Sequence, residues 1–303
     1  MLSVVNAPGD ASRIAITQTE APSAAPNQVL VDVRAFSVNR GELSLLKARP
    51  AGWRPGQDVA GTVVVAASDG TGPAVGTRVV ARVEEGGWAE QVAVDVDELA
   101  VLAETVTFTD AATLPIAGVT AIRTLRLGGD LLGRRVLIAA ASGAVGRFQT
   151  ELAAAHGAAV TAIARKEHEA ALRALGAVEV VPEISAADGL YSLISESVGG
   201  SALNAAVSKV EPGGTIVLLG TTSGEPGTVS IYDFIGHEGA RLQSFLSYAS
   251  GPFGTDLERL VALLRDGRLH PSIGYIDDWN ALPDALTAFT GRTFTGKAVL
   301  TIP

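Results

Sequence analysis

The apolar positions of the chain change period twice. Up to about Thr113 they alternate with polar positions in short runs, as at Val29, Val31 and Val33 in VLVDVRAFSV. Similar runs follow in VAGTVVVAAS and TRVVARVE, and GGWAEQVAVD reads as a hairpin arm. Turn-rich stretches such as DGTGPAVG separate them. A period of two with frequent turn signals predicts a β-rich unit. From AATLPIAGVTAIRTL onward, apolar strand-like runs alternate with helical patterns. RRVLIAAA leads into a helix near Val145, AAVTAIA precedes KEHEAALRALG, and ALNAAVSKV precedes GGTIVLLG. That rhythm predicts an α/β unit, a parallel sheet covered by helices. The tail differs again. Leu257, Leu260, Val261 and Leu264 share one helical face in TDLERLVALLRDG. Thr255 and Glu258 are spaced as a capping box, and Gly267 is placed as the stop. Leu282, Ala285, Leu286 and Phe289 mark a second short helix, and GKAVLTIP a closing strand. This tail leaves the parallel rhythm, so it is expected to return to the first unit.

Composition narrows the function classes. The 303 residues are 47% hydrophobic and 18% charged, which suits a soluble globular chain of two domains. A formal charge of −9 argues against a broad nucleic-acid surface, which needs a basic field. With no cysteine there is no disulfide, thiolate zinc cage or cysteine nucleophile. MLSVVNAPGDASRIAI lacks the basic-then-apolar pattern of a signal peptide, and no apolar run reaches a membrane span. A cytoplasmic protein without membrane association is expected.

The candidate chemistry begins at Ala141-Ser142-Gly143-Ala144-Val145-Gly146, between a strand and a helix. That is the context a dinucleotide fingerprint requires. Gly143 would let the backbone approach a pyrophosphate, Gly146 would let the helix pack closely, and free N–H groups at the helix start would hold phosphate charge. Ala141 stands at the first glycine position, which mainly serves the tight turn. The other reading of the loop is a βα turn that uses glycine for packing alone. The next strand ends in Arg165-Lys166 where a ribose-binding acid would be expected. Two cations there oppose the dipole of the following helix, which favours a bound 2′-phosphate and hence NADPH. The competing reading is a solvated basic pair softened by Glu167 and Glu169.

The order and spacing of SVNRGEL, RPGQDVAGTV, VGTRVVARVEEGGWAEQVAV, TLPIAGVTAIRTL, ASGAVG, ESVGG, GGTIVLLG and GKAVL resemble the medium-chain dehydrogenase/reductase superfamily, in its zinc-independent quinone oxidoreductase-like branch. The resemblance implies a β-rich catalytic domain over 1–115, a doubly wound Rossmann domain over 116–248 and a C-terminal return over 249–303. Zinc-dependent relatives place a cysteine early and a His-Glu pair in the segment here reading Pro55-Gly56-Gln57-Asp58. This chain has Gln57-Asp58, and His156, His168, His237 and His270 show no ligand spacing, so no metal is expected. The implied reaction is hydride delivery from NADPH to a quinone or α,β-unsaturated carbonyl. An enoyl-thioester reductase and a non-catalytic NADPH-binding protein are the alternatives. Relatives commonly dimerise through Rossmann edge strands, and ARLQSFLSY is the candidate edge for a homodimer.

The resemblance also implies site residues. Asn39 matches an asparagine beside substrate and nicotinamide, or is a turn residue. Arg40 meets an anionic substrate or is a surface cation. Trp53 lines the pocket or is a core aromatic. For the cofactor it implies Thr120, Ser142, Gly143, Ala144, Val145 and Gly146, with Arg165 and Lys166 at the phosphate. Ser197, Val198, Gly220, Thr221 and Thr222 sit at strand ends, where ligands gather. Phe245, Leu246 and Ser247 resemble a segment over the nicotinamide, or form a buried edge strand. Lys297, like Arg292, reaches a phosphate or stays in a solvated loop.

Overall fold

The computed structural model describes residues 1–303 and divides into two compact units. Unit 1 comprises Met1–Val119 and Gly251–Pro303, and unit 2 comprises Thr120–Ser250. In unit 1, β1 (Leu2–Asn6) and β2 (Ile14–Gln18) form a small antiparallel pair. The main sheet holds β3 (Gln28–Val38), β4 (Asp58–Val65), β5 (Arg78–Arg82), β6 (Gln91–Asp95) and β7 (Leu99–Val101). It also takes β14 (Ile273–Asp278) and β15 (Lys297–Thr301), in the order β14-β15-β3-β4-β5-β7, with β6 on β3. The helices are α1 (Arg40–Ala48), α2 (Phe108–Ala111), α7 (Gly254–Arg265) and α8 (Leu282–Thr290).

The tail's return is physical pairing. β15 runs antiparallel to β3, with Ala298 opposite Val38. Alternation along β3 buries Val29, Val31 and Val33, which join Val59, Val63, Trp88, Leu282 and Leu300 in one core. Phe36 stacks on the fully buried Trp88 with ring centroids 5.7 Å apart. Helix α7 departs from the expected start. Thr255 lies inside it, and its N-cap is Phe253, with no side-chain cap bond. Tertiary contacts set this end instead. Phe253 is buried, and its N–H donates to the Glu98 carboxylate at 3.2 Å. A Cβ on Gly254 would lie 2.6 Å from the Asp97 carbonyl oxygen, so the chain approaches too closely for any other residue. At the other end Gly267 adopts φ +64° just past the last turn, the expected stop.

Unit 2 is a six-stranded parallel sheet. Its strands are β8 (Arg135–Ile138), β9 (Ala159–Ile163), β10 (Ala177–Val181), β11 (Tyr191–Glu196), β12 (Val210–Leu218) and β13 (Arg241–Ser244). They are ordered β10-β9-β8-β11-β12-β13 and joined through α4 (Ala144–Ala155), α5 (Glu169–Ala174) and α6 (Ser201–Val207), with α3 (Val119–Arg126) before them. The strand order reverses between β8 and β11, so the ligand crevice of a doubly wound sheet opens at their carboxyl ends. β11 is buried at all six residues, as a central strand between two helical layers should be.

Candidate active site

In unit 2 the loop after β8 turns at Ala140, which has φ +51°. The sequence placed the missing glycine at Ala141, whereas the left-handed residue is one position earlier. Ala141 is fully buried and donates its N–H to Ile163 O at 3.0 Å. Alanine in the left-handed region costs about 1 kcal/mol or more, so neighbouring packing and hydrogen bonds hold this turn. Gly143 closes it, donating to Ala140 O at 3.0 Å, and is the N-cap of α4. A Cβ on Gly146 would stand 2.7 Å from both Ala140 O and the Ala141 Cα, so the helix start lies directly on the loop. Gly146, Phe148, Gln149, Leu152 and Ala153 bury one face of α4. The first-turn N–H groups of such a helix lack intrahelical partners and suit an anion. Ser142, Ala144 and Val145 are partly exposed beside them, and Gly143 is exposed.

Strand β9 lies next to β8 and leads, just past its end, to Arg165 and Lys166, both exposed. Across β8, β11 ends at Glu196, a residue sequence reasoning missed. Its carboxylate turns back on its own chain, accepting from Val198 N at 2.6 Å and from Gly199 N at 3.1 Å. Burial raises its pKa, and those backbone donors partly offset the shift. The turn it organises is clipped to the loop after β12, because Thr222 N donates to Ser197 O at 3.0 Å and Ser223 N to Val198 O at 2.9 Å. Ser197, Val198, Gly220, Thr221 and Thr222 therefore form one backbone shelf. Thr120 is buried in α3, and its carbonyl accepts from Thr124 Oγ1 at 2.7 Å. Phe245 is bonded to Leu218 O at 2.8 Å, half-buried like Ser247, and Leu246 is exposed.

Unit 1 holds a different assembly. The antiparallel register brings the end of β3 beside the starts of β4 and β15. Asp58 Oδ2 accepts there from Ser37 Oγ at 2.7 Å, Asn39 Nδ2 at 2.8 Å and Lys297 Nζ at 2.8 Å. Its Oδ1 accepts from Ile116 N at 2.8 Å. Lys297 Nζ also donates to Asn39 Oδ1 at 2.7 Å. Lys297 is 2% exposed, so its assignment to a cofactor phosphate is corrected: it is the buried counter-ion of Asp58. Glu42 completes the cluster, accepting from Asn39 N at 2.7 Å and Gln57 N at 2.8 Å. Burial first, and Asp58 second, push its pKa up to about 8. The Asn39 side chain also accepts from the Glu42 backbone in a capping box, so the amide keeps one Nδ2 hydrogen unspent in this network.

Arg40 projects its guanidinium over the Phe289 ring, 5.3 Å from the centroid. Burial and the nearby Arg292 lower its pKa. Trp53 packs half-buried on the core, and its Nε1 donates to Glu85 at 2.6 Å, so the indole N–H is spent.

Two family models match: the alcohol dehydrogenase GroES-like domain over residues 25–116 and the zinc-binding dehydrogenase over residues 144–264. The chain belongs to the medium-chain dehydrogenase/reductase superfamily. That superfamily is one of oxidoreductases with an NAD(P)-binding domain. The chain is 32% identical over 293 residues to the spectinabilin polyketide synthase system protein NorB of Streptomyces orinoci. That match takes in 92% of this chain but 13% of NorB, so the chain spans a small part of that relative. Two further streptomycete polyketide synthases are matched over 8% and 6% of their lengths. The mouse mitochondrial NAD(P)H oxidoreductase RTN4IP1 is 28% identical, with 91% of this chain and 82% of RTN4IP1 covered. A quinone oxidoreductase from Coxiella burnetii shares the fold at a TM-score of 0.85 and 24% identity, with 100% and 99% of the two chains covered. A catalytic zinc does not fit this superfamily member. Both oxygens of Asp58 are committed to protein donors, and no three His, Cys, Asp or Glu side chains converge. The dinucleotide does fit, at the helix start beside the crevice of unit 2.

Two predictions follow from the buried cluster. Lys297→Met should cost about 3–5 kcal/mol by leaving Asp58 unpaired, and Lys297→Met with Asp58→Asn should recover most of it; denaturant unfolding of the three proteins measures this. The folded state keeps a proton on Glu42 that the unfolded chain releases above 4.5. Stability should therefore fall as pH rises from 4.5 to about 8 and lose no more from this group above that. Thermal melting against pH should show this slope, reduced in Glu42→Gln.

Proposed function

We propose that this chain is an NADPH-dependent, zinc-independent reductase acting on a quinone or an α,β-unsaturated carbonyl. The main support is the basic pair Arg165-Lys166 at the end of β9, one strand from the glycine loop. The first-turn N–H groups of α4, with Ser142, hold the pyrophosphate, and Gly143 lets the backbone come close to it. Arg165 and Lys166 take the 2′-phosphate. The Ser197–Val198 and Gly220–Thr222 shelf, with Thr120 and the Phe245–Ser247 segment, receives the rest of the cofactor. When bound, NADPH supplies the hydride. Asn39 offers its remaining Nδ2 hydrogen to the substrate oxygen as negative charge develops there. Arg40 serves substrates that carry an anionic group. A conjugated acceptor spreads the charge, so no metal is needed, and water returns the proton. The identity to NorB supports a second reading, reduction of an enoyl thioester by the same residues.

The wild-type protein should bind NADPH about 10- to 100-fold more tightly than NADH, the worth of one or two charge-assisted bonds. Arg165→Ala should remove most of that margin in a fluorescence titration, whereas equal affinities in the wild type would refute it. A panel of quinones, enones and enoyl thioesters then separates the two enzyme readings. NADPH binding without oxidation on any of them would leave a binding protein.

The same proposal includes a homodimer through β13. All four residues of this edge strand are exposed, and Leu242, Leu246 and Tyr248 lie exposed on or beside it. Sedimentation should give a dimer that Leu242→Glu shifts to monomer; a wild-type monomer would count against it.

A further inference from the structure

The end of β9 carries a carboxylate where its cations should be free. Arg165 is the N-cap of a 3-10 turn over Lys166–His168, in extended conformation. Its Nη2 lies 2.9 Å from Glu167 Oε1. His168 Nε2 is buried, has no hydrogen bond and lies 3.4 Å from the same oxygen. One carboxylate oxygen thus stands between a guanidinium and an imidazole. The next acid, Glu169, is turned away: it opens α5 and binds Arg173 Nε at 2.8 Å, one helical turn on. Lys166 has no ion pair.

We propose that Glu167 is an internal stand-in for the 2′-phosphate, held on Arg165 until an adenosine 2′-phosphate displaces it. The inference rests on the reading that Arg165 takes that phosphate. A guanidinium presents its donors as a planar fork that suits carboxylate and phosphate alike, so the two anions compete for one face. The carboxylate carries one charge and the phosphate close to two, so the ligand wins the exchange at a reduced margin. Glu167 thereby lowers the discrimination between NADPH and NADH and keeps the empty site from capturing other anions. The pair is solvent-exposed, with side-chain exposures of 71% and 59%, so its effect is bounded by what a surface ion pair is worth.

Calorimetry with adenosine 2′,5′-bisphosphate and 5′-AMP tests this on the full chain. Glu167→Gln should tighten the bisphosphate by about two- to five-fold, the range a surface pair spans, and leave 5′-AMP unchanged. Glu169→Gln, the control for simple loss of negative charge, should change neither by as much. The gain should vanish when Glu167→Gln is made in an Arg165→Ala background. No gain, an equal gain in Glu169→Gln, or a gain that survives without Arg165 would overturn the proposal. Arg165→Ala binding the bisphosphate as tightly as the wild type would overturn the cofactor reading itself, and this role of Glu167 with it.

Discussion

The ion pair between Lys297 and Asp58 fixes unit 1. Two charges at 2% and 0% exposure are costly to bury, and the attraction between them alone rarely repays that cost. Here the rest of the compensation is visible. Asp58 receives four donors: Ser37 of β3, Asn39 at the N-cap of α1, Lys297 of β15 and Ile116 in the helical turn Leu114–Gly118. Such a pair specifies more than it stabilises. It accepts only one register of β15 on β3 and of β3 on β4, since a slip of one residue would turn Lys297 or Asp58 to the opposite face. Asn39 is held in the middle of that specification, so its amide is aimed by Asp58 of β4 and Lys297 of β15 together with the capping box of its own turn.

Unit 2 solves a different problem with backbone. Its crevice lies at the carboxyl ends of β8 and β11, where the strand order reverses, and backbone turns shape it. Ala140 accepts an unfavourable φ, Gly146 removes a side chain, and Glu196 gathers the N–H groups of Val198 and Gly199. The charged side chains stay at the rim, at Arg165 and Lys166. In the proposed reading, the dinucleotide body and its phosphate tag are therefore recognised by separate groups.

Legibility in the sequence followed periodicity. The alternation in β3 and the βαβ rhythm after Arg135 reflect burial of repeated faces, and these elements stand where the pattern placed them. The returning tail could be read because it broke that rhythm. Features set by single tertiary contacts could not be read. Thr255 and Glu258 have capping-box spacing, yet the buried Phe253 and its bond to Glu98 decide where α7 begins. Lys297 beside a glycine looks like a loop cation, and only the pairing of β15 with β3 hides it. Glu42 did carry a signal, three residues after Asn39 as in a capping box. Asp58, opening an apolar strand, carried one too. Glu196 was the lone acid ending an apolar run, easily taken for an ordinary strand terminus.

The position of Lys297 along the chain bears on how the protein is made. It follows Asp58 by 239 residues, and all of unit 2 is translated between them. Until β15 emerges, the end of β3 has no partner on that side and Asp58 has no counter-ion. A collapsed N-terminal segment would bury an uncompensated carboxylate or leave it hydrated and the sheet loose. Unit 2 is continuous in sequence, and its parallel strands join through nearby helices. It can therefore mature while unit 1 waits. The buried lysine acts as a late latch that delays commitment of the first unit until its last strand has arrived, at the expense of a long interval with an exposed strand edge.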